Sequence, residues 1–134
     1  MFIAVDPNNY ISILFQGRHS VHPIDLETMM GILNKYKYAD AKCVVMDNKN
    51  QFDVGFWFGI FCAYGWDTQI ISTETWMNYF GLYPDDKKER LNHWLDIAKL
   101  RYPMMKVDEK NYEVILVACY LHDKHRAETD AVFA

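Results

Sequence analysis

Two short apolar runs that each close on an aspartate constrain this chain more than any other feature: FIAVD from Phe2 to Asp6, and CVVMD from Cys43 to Asp47. A continuous apolar run of this length is too short for a buried helix and reads as a strand covered on both faces. Helical segments separate the two runs, and that alternation predicts an α/β fold whose sheet has a parallel core. Parallel neighbours present their carboxyl ends along one edge, so Asp6 and Asp47 are expected side by side there.

The intervening segments fill in the succession. After a turn at Pro7, Asn8 and Asn9, Tyr10 to Gln16 reads as a second strand and completes a hairpin. Pro23 and Ile24 open a helix with Asp25 and Glu27 in its first turn and Leu26, Met29, Met30 and Leu33 along one face. The segment FDVGFWFGIFCAY, Phe52 to Tyr64, is apolar nearly all round, which a helix tolerates only when both faces are covered. In a chain this small, a homodimer through the helix near 52–64 is the expected cover. Gly65 stops that helix, Thr68 to Ser72 reads as a strand, and Thr73 caps a short helix that runs to Phe80 and ends at Gly81. Asp85 to Tyr102 is amphipathic, with Leu91, Trp94, Leu95 and Ala98 on one face and Pro103 beyond its end. Val114 to Leu121 fits strand or helix by periodicity alone, and its β-branched content favours strand.

At 134 residues and 51% apolar composition, the chain is expected to form one domain over 1–134. No apolar run approaches the roughly 20 residues that a bilayer requires, and the opening MFIAVDPNN has neither a charged leader nor a cleavage site, so no membrane association and a cytoplasmic protein are expected. Cys43, Cys62 and Cys119 are odd in number and widely spaced, which predicts buried free thiols rather than disulfides or a zinc site. The net charge of -4 weighs against a generic polyelectrolyte binder. Acids gathered on a cation would still leave basic surface elsewhere.

The acids that stand out are Asp6, Asp47 and the group Asp108, Glu109 and Glu113 ahead of the last apolar run. Hard divalent cations take oxygen ligands and keep several waters, so a few carboxylates on a rigid edge suffice to hold them. A pair of Mg²⁺ or Mn²⁺ ions about 4 Å apart would promote attack of water on a phosphodiester and stabilise the leaving oxygen. Taken singly, each of these acids also reads as an ordinary exposed carboxylate.

Together these residues resemble the RuvC family of Holliday junction resolvases, especially its small phage-encoded branch. Ile3 to Pro7 is similar to the family's hydrophobic-Asp-Pro opening, with Asn8 and Asn9 where the family has Gly-Ser. Val44 to Asp47 resembles its second strand, which ordinarily ends in Glu. The run from Phe56 to Pro103 is similar in order and spacing to the family's dimer helix, central strand, short helix and basic helix. Lys87 falls where the family carries a DNA-contacting lysine, and Trp76 occupies a second position that is usually basic. Glu113 fits the family's final acid and Glu109 its companion, with Asp108 as the alternative and Lys110 as a departure in spacing. A rival alignment uses His125, Glu128 and Asp130 instead.

The resemblance implies an RNase H-like mixed sheet flanked by helices, with the last apolar run as a helix. It implies catalytic Asp6, Asp47, Glu109 and Glu113, the same acids and Asp108 as ligands for two Mg²⁺ or Mn²⁺ ions, and a homodimer that nicks four-way DNA junctions in the cytoplasm of a bacterial host cell. By the same resemblance Phe52 stacks on unpaired bases; the residue pattern alone makes it the first core residue of its helix. Lys87, Lys88, Arg90 and Lys49 are the expected DNA contacts, with Lys35, Lys37 and Lys42 nearby. The interleaved Asp85, Asp86 and Glu89 equally fit a solvated helix face. Trp57, Trp66, Trp76 and Trp94 read as packing residues, and His93, His122 and His125 as surface histidines. Two other functions fit the same residues: a nuclease that cuts forks and flaps as readily as junctions, and a junction-binding protein without cleavage.

Overall fold

Strand and helix alternate along the chain in the computed structural model, which describes residues 1–133. The elements are β1 (Phe2–Val5), β2 (Tyr10–Phe15), β3 (Arg18–Pro23), α1 (Leu26–Tyr36), β4 (Lys42–Met46), α2 (Gln51–Ala63), β5 (Asp67–Ile71), α3 (Thr73–Tyr79), α4 (Lys87–Arg101) and α5 (Tyr112–Phe133). They build one five-stranded sheet in the order β3-β2-β1-β4-β5. The aspartate-ended runs are neighbours: β1 and β4 pair in parallel with Val5 opposite Val45, and β5 extends the parallel half. The β1-β2-β3 meander is antiparallel. This is an α/β fold with the RNase H-like mixed sheet flanked by helices.

Alternation within the central strands sends side chains to two cores. Ile3, Val5, Cys43 and Val45 pack under α1 and α2 with Met29, Ile32, Leu33, Val54, Trp57 and Phe61. Ala4, Val44 and Met46 face the other way, against Trp76, Trp94, Ala98 and the run Val114 to Leu121. All four tryptophans are buried, as packing residues should be.

The run Val114 to Leu121 is helical, and every one of its residues is buried. Sheet on one side and α3 and α4 on the other leave that half of α5 no polar face, which is why periodicity does not distinguish it from a strand. The helix then outruns the sheet. Its 22 residues span about 33 Å at helical rise, against roughly 20 Å for a six-residue strand, and beyond Leu121 the residues are half-buried or exposed. Asp123 ties this overshoot to its neighbours, accepting from Arg101 Nη1 at 2.8 Å, Tyr79 Oη at 3.2 Å and His122 Nδ1 at 3.2 Å.

Several sequence expectations are corrected. Arg18–Pro23 is a third strand, entered through a turn in which Gln16 and Gly17 both have positive φ, and Pro23 ends that strand instead of opening α1. Asp25 is the N-cap of α1, accepting from Thr28 N at 2.8 Å. Leu26 and Met30 are exposed, and the buried face is Met29, Ile32 and Leu33. Ser72, not Thr73, caps α3. The outer face of α2 has no cover within the described residues: Phe52 is 79% and Phe56 53% exposed, so Phe52 is not a core residue. Cys62 is exposed, whereas Cys43 and Cys119 are buried. His93, His122 and His125 are half-buried, His93 against Trp94 and the other two against Phe2. Among the described residues no helix is long and apolar enough to cross a membrane.

Because α5 is clamped on two sides, its apolar half should dominate stability. Leu116→Ala, which empties a fully buried position, is expected to lower the urea unfolding midpoint by the equivalent of about 2–5 kcal/mol with an unchanged m-value. An effect under 1 kcal/mol, measured by equilibrium urea titration, would contradict this packing.

Candidate active site

The chemistry gathers where β1 and β4 end. Continuing their register puts Asp6 level with Met46, one residue short of Asp47, on strands about 4.8 Å apart. The Asp47 amide donates to Ile71 O at 2.8 Å, which anchors the edge to β5. Both side chains are engaged locally. Asp6 accepts from Asn8 N at 3.2 Å and Asn9 Nδ2 at 3.0 Å, closing the β1-β2 turn, and Asp47 accepts from Gln51 Nε2 at 3.0 Å in the first turn of α2.

Glu113 reaches the same edge from the opposite layer. It lies in the first turn of α5, whose start is pinned by a reciprocal pair: Asn111 Oδ1 accepts from Asp108 N, and Asp108 Oδ1 accepts from Asn111 N, both at 2.9 Å. The Asn111 amide also donates to Lys106 O at 2.9 Å, fixing the loop between α4 and α5. Burial pushes the Glu113 carboxyl above the usual carboxylate range, and the Asp6 charge pushes it further, while the Tyr112 hydroxyl, donating at 3.1 Å, works the other way. Burial is thus the main cause of the shift, and the Asp6 charge is a smaller contribution.

Glu113 opens onto a groove of about 660 Å³ between α3, α4 and the start of α5. Glu109, Asp86, Lys87, Lys88 and Arg90 line the same groove, over Met77, Leu91, Trp94 and Tyr112. The sequence-selected acids Glu109 and Glu113 and the basic trio therefore share one concavity. Lys87 and Lys88 occupy the first turn of α4, whose partial positive end is capped by the Asp86 carboxylate, accepting from Glu89 N at 3.0 Å. Neither makes an ion pair among the described residues. Arg90 is committed to the α3-α4 loop, donating from Nη2 to Asp85 O at 2.7 Å with its guanidinium 5.6 Å from the Tyr83 ring centre.

Other selected residues fall elsewhere. Asp108 lines a second groove of about 630 Å³ with Tyr10, His19, Tyr102 and Asn111, and its Oδ1 is taken by the Lys110 and Asn111 amides. Lys49 is exposed on the β4-α2 connection, outside the Glu113 groove. His125, Glu128 and Asp130 sit in the overshooting half of α5, and His125 and Glu128 line a cavity with Lys42 and Asp67 at the opposite strand ends. Glu128 is about 22 Å along the helix from Glu113, so the rival triad cannot join Asp6.

The donor chemistry suits a hard cation: Asp6, Asp47, Glu109 and Glu113 offer only oxygens, and a cation would favour the ionised form of the partly buried Glu113 carboxyl. No three His, Cys, Asp or Glu side chains among the described residues already converge as a metal-binding group. An ion at this edge competes with Asn9 for Asp6 and with Gln51 for Asp47. Asn9, Gln51, Asn111 and Tyr112 were not singled out by sequence. Asn111 has a local signal, an amide three residues after an acid just before an apolar run, while the others depend on tertiary placement.

No known protein-family model matches the chain, and no curated protein matches it at a significant level.

Since the folded chain holds the Glu113 carboxyl above its ordinary range, ionising it near neutrality opposes folding. Wild-type protein should gain stability from this site on acidification, because folded Glu113 takes up its proton before the unfolded chain does. Glu113→Gln lacks that charge, so in metal-free buffer its urea midpoint should exceed wild type at neutral pH, with the gap closing near about pH 4. A mutant less stable than wild type at neutral pH would contradict the penalty on ionising this buried carboxyl.

Proposed function

We propose that this chain is a metal-dependent, structure-selective endodeoxyribonuclease that binds branched DNA such as four-way junctions and nicks it. The observation that carries the reading is the single groove that Glu109 and Glu113 share with Lys87, Lys88 and Arg90, at the side of the sheet where Asp6 and Asp47 end their strands. Basic side chains at the start of α4 bind phosphate and position the strand, and the carboxylates lie beside it. The resemblance to RuvC-type resolvases supports the same conclusion.

In this mechanism Asp6, Asp47 and Glu113 would hold Mg²⁺ or Mn²⁺, with Glu109 as the companion acid. Bound there, two such ions would promote attack of water on the phosphodiester and stabilise the leaving oxygen. Tyr112 orients Glu113 through its hydroxyl, Asn111 sets the register of α5, and Lys87 and Lys88 retain the backbone. Asp108 closes the loop ahead of α5 through its Oδ1. Phe52, exposed next to the edge, is available to stack on a base. The uncovered face of α2, with Phe52, Phe56, Gly55 and Gly59 exposed, is the surface for a second copy, which would give the pair of sites that two opposed strands require.

A second reading, junction binding without cleavage, is favoured by the hydrogen bonds that occupy Asp6 and Asp47. Labelled four-way junction, fork and linear duplex, incubated with Mg²⁺, Mn²⁺ or EDTA, separate the possibilities. Metal-dependent paired nicks confined to the junction are expected; equal cutting of forks would indicate a broader nuclease, and binding with no cutting in any metal would support the second reading. Asp6→Asn should bind the junction as wild type does and cut it at least a hundredfold more slowly, on the order of the loss when a charge-stabilising group is removed. Turnover unchanged in that mutant would sink the metal assignment.

The interface has its own test. Phe56→Glu places a charge on the exposed face of α2, away from the Val54, Trp57 and Phe61 that pack on the sheet. Sedimentation should show wild-type dimer and mutant monomer of unchanged fold, and a mutant dimer would reject this interface.

A further inference from the structure

The groove beside Glu113 has a feature that a duplex backbone does not use. Phosphate contacts need only its basic lip, yet Met77, Leu91, Trp94 and Tyr112 give it an apolar wall. That wall is preformed. Trp94 is packed against Trp76 and Tyr83 with ring centres 5.2 and 5.3 Å apart, and Arg90 braces the Tyr83 loop from outside. At about 660 Å³ the groove falls within the size of pockets that enclose small planar ligands. Its charged lining is mixed, with Asp86, Lys87, Lys88 and Arg90 from the α4 side and Glu109 and Glu113 from the α5 side, so Lys87 and Lys88 are the cations available to a ligand's phosphate.

We propose that this groove seats one unpaired nucleotide of the DNA strand, its base against Leu91, Met77 and Tyr112 and its phosphate at Lys87 and Lys88. The inference rests on the nuclease reading above and narrows its substrate to DNA that offers an unpaired base next to the scissile phosphate. A base inside a duplex must leave its stack to enter, at a cost that is least where pairing is already interrupted. The apolar wall makes contact with a base face and no specific edge, so the seat selects branched over linear DNA without selecting sequence. A rigid wall also means that little ordering cost is incurred on binding.

The test uses a four-way junction with 2-aminopurine at the nucleotides flanking the branch point, in EDTA so that nothing is cut. Wild-type protein should raise the 2-aminopurine fluorescence with the same midpoint as junction binding. Leu91→Trp and Met77→Trp, which fill the groove, should bind more weakly and lose the rise. An abasic nucleotide at the responding position should weaken wild-type binding about five- to hundredfold, the range for one lost base contact, and weaken the filled variants much less. Binding by wild type with no rise, or with no loss at any abasic position, overturns the seat and leaves the nuclease reading standing. A rise that persists in both filled variants also overturns it. Failure to bind the junction at all overturns the nuclease reading and the seat together. The abasic comparison uses unaltered protein, so it decides the matter even where a filled variant does not fold.

Discussion

The arrangement turns on the burial of one helical half, Val114 to Leu121, between the sheet and α3 and α4. Eight consecutive buried residues leave α5 a single depth and rotation, since cores packed at crystal-like density tolerate little displacement. Glu113 immediately precedes that half. The same packing that stabilises the chain therefore sets where the acid stands relative to Asp6, and the Asp108–Asn111 pair stops the helix from starting earlier or later.

The site works against the stability that the core supplies. The Glu113 carboxyl is partly desolvated, which opposes its ionisation. Lys87 and Lys88 stand in the first turn of α4, where the Asp86 N-cap and Glu89 offset the unfavourable helix end. Local hydrogen bonds from Asn9 and Gln51 meanwhile hold Asp6 and Asp47 in defined positions. Arg90 contributes differently from the two lysines, because its guanidinium is occupied in bracing the loop that forms the groove wall.

Much of this was legible in the sequence, and the parts that were not have physical causes. The strands β1 and β4 were readable because runs buried on both faces are apolar throughout, and their terminal aspartates mark the edge. The α5 run was not decidable by pattern, since burial on every side erases the period; its resemblance to a family pattern led to helix, which is the observed state. Strand β3 escaped notice because its residues, Arg18 to Pro23, are only half-buried and mostly polar, and the Gln16-Gly17 turn is not one of the common hairpin dipeptides. The face of α1 was misjudged because Leu26 and Met30 are apolar yet exposed, something composition cannot reveal. In the site, Glu109, Glu113 and the basic trio were found as sequence neighbours and turned out to share a groove. Asp108 lines the neighbouring groove, where its Oδ1 accepts from the Lys110 and Asn111 amides, a placement that depends on the loop's conformation and not on residue type.

The most direct measurement of the central claim is a calorimetric titration of Mg²⁺ and Mn²⁺ into the protein, alone and with an uncleavable junction bound, alongside Asp6→Asn and Glu113→Gln. If the sheet edge is a cation site, wild-type protein binds the ions, more tightly with the junction present, and each substitution weakens or abolishes that binding without unfolding the chain. Wild-type protein that takes up neither ion under either condition, or substitutions that leave uptake unchanged, would contradict it.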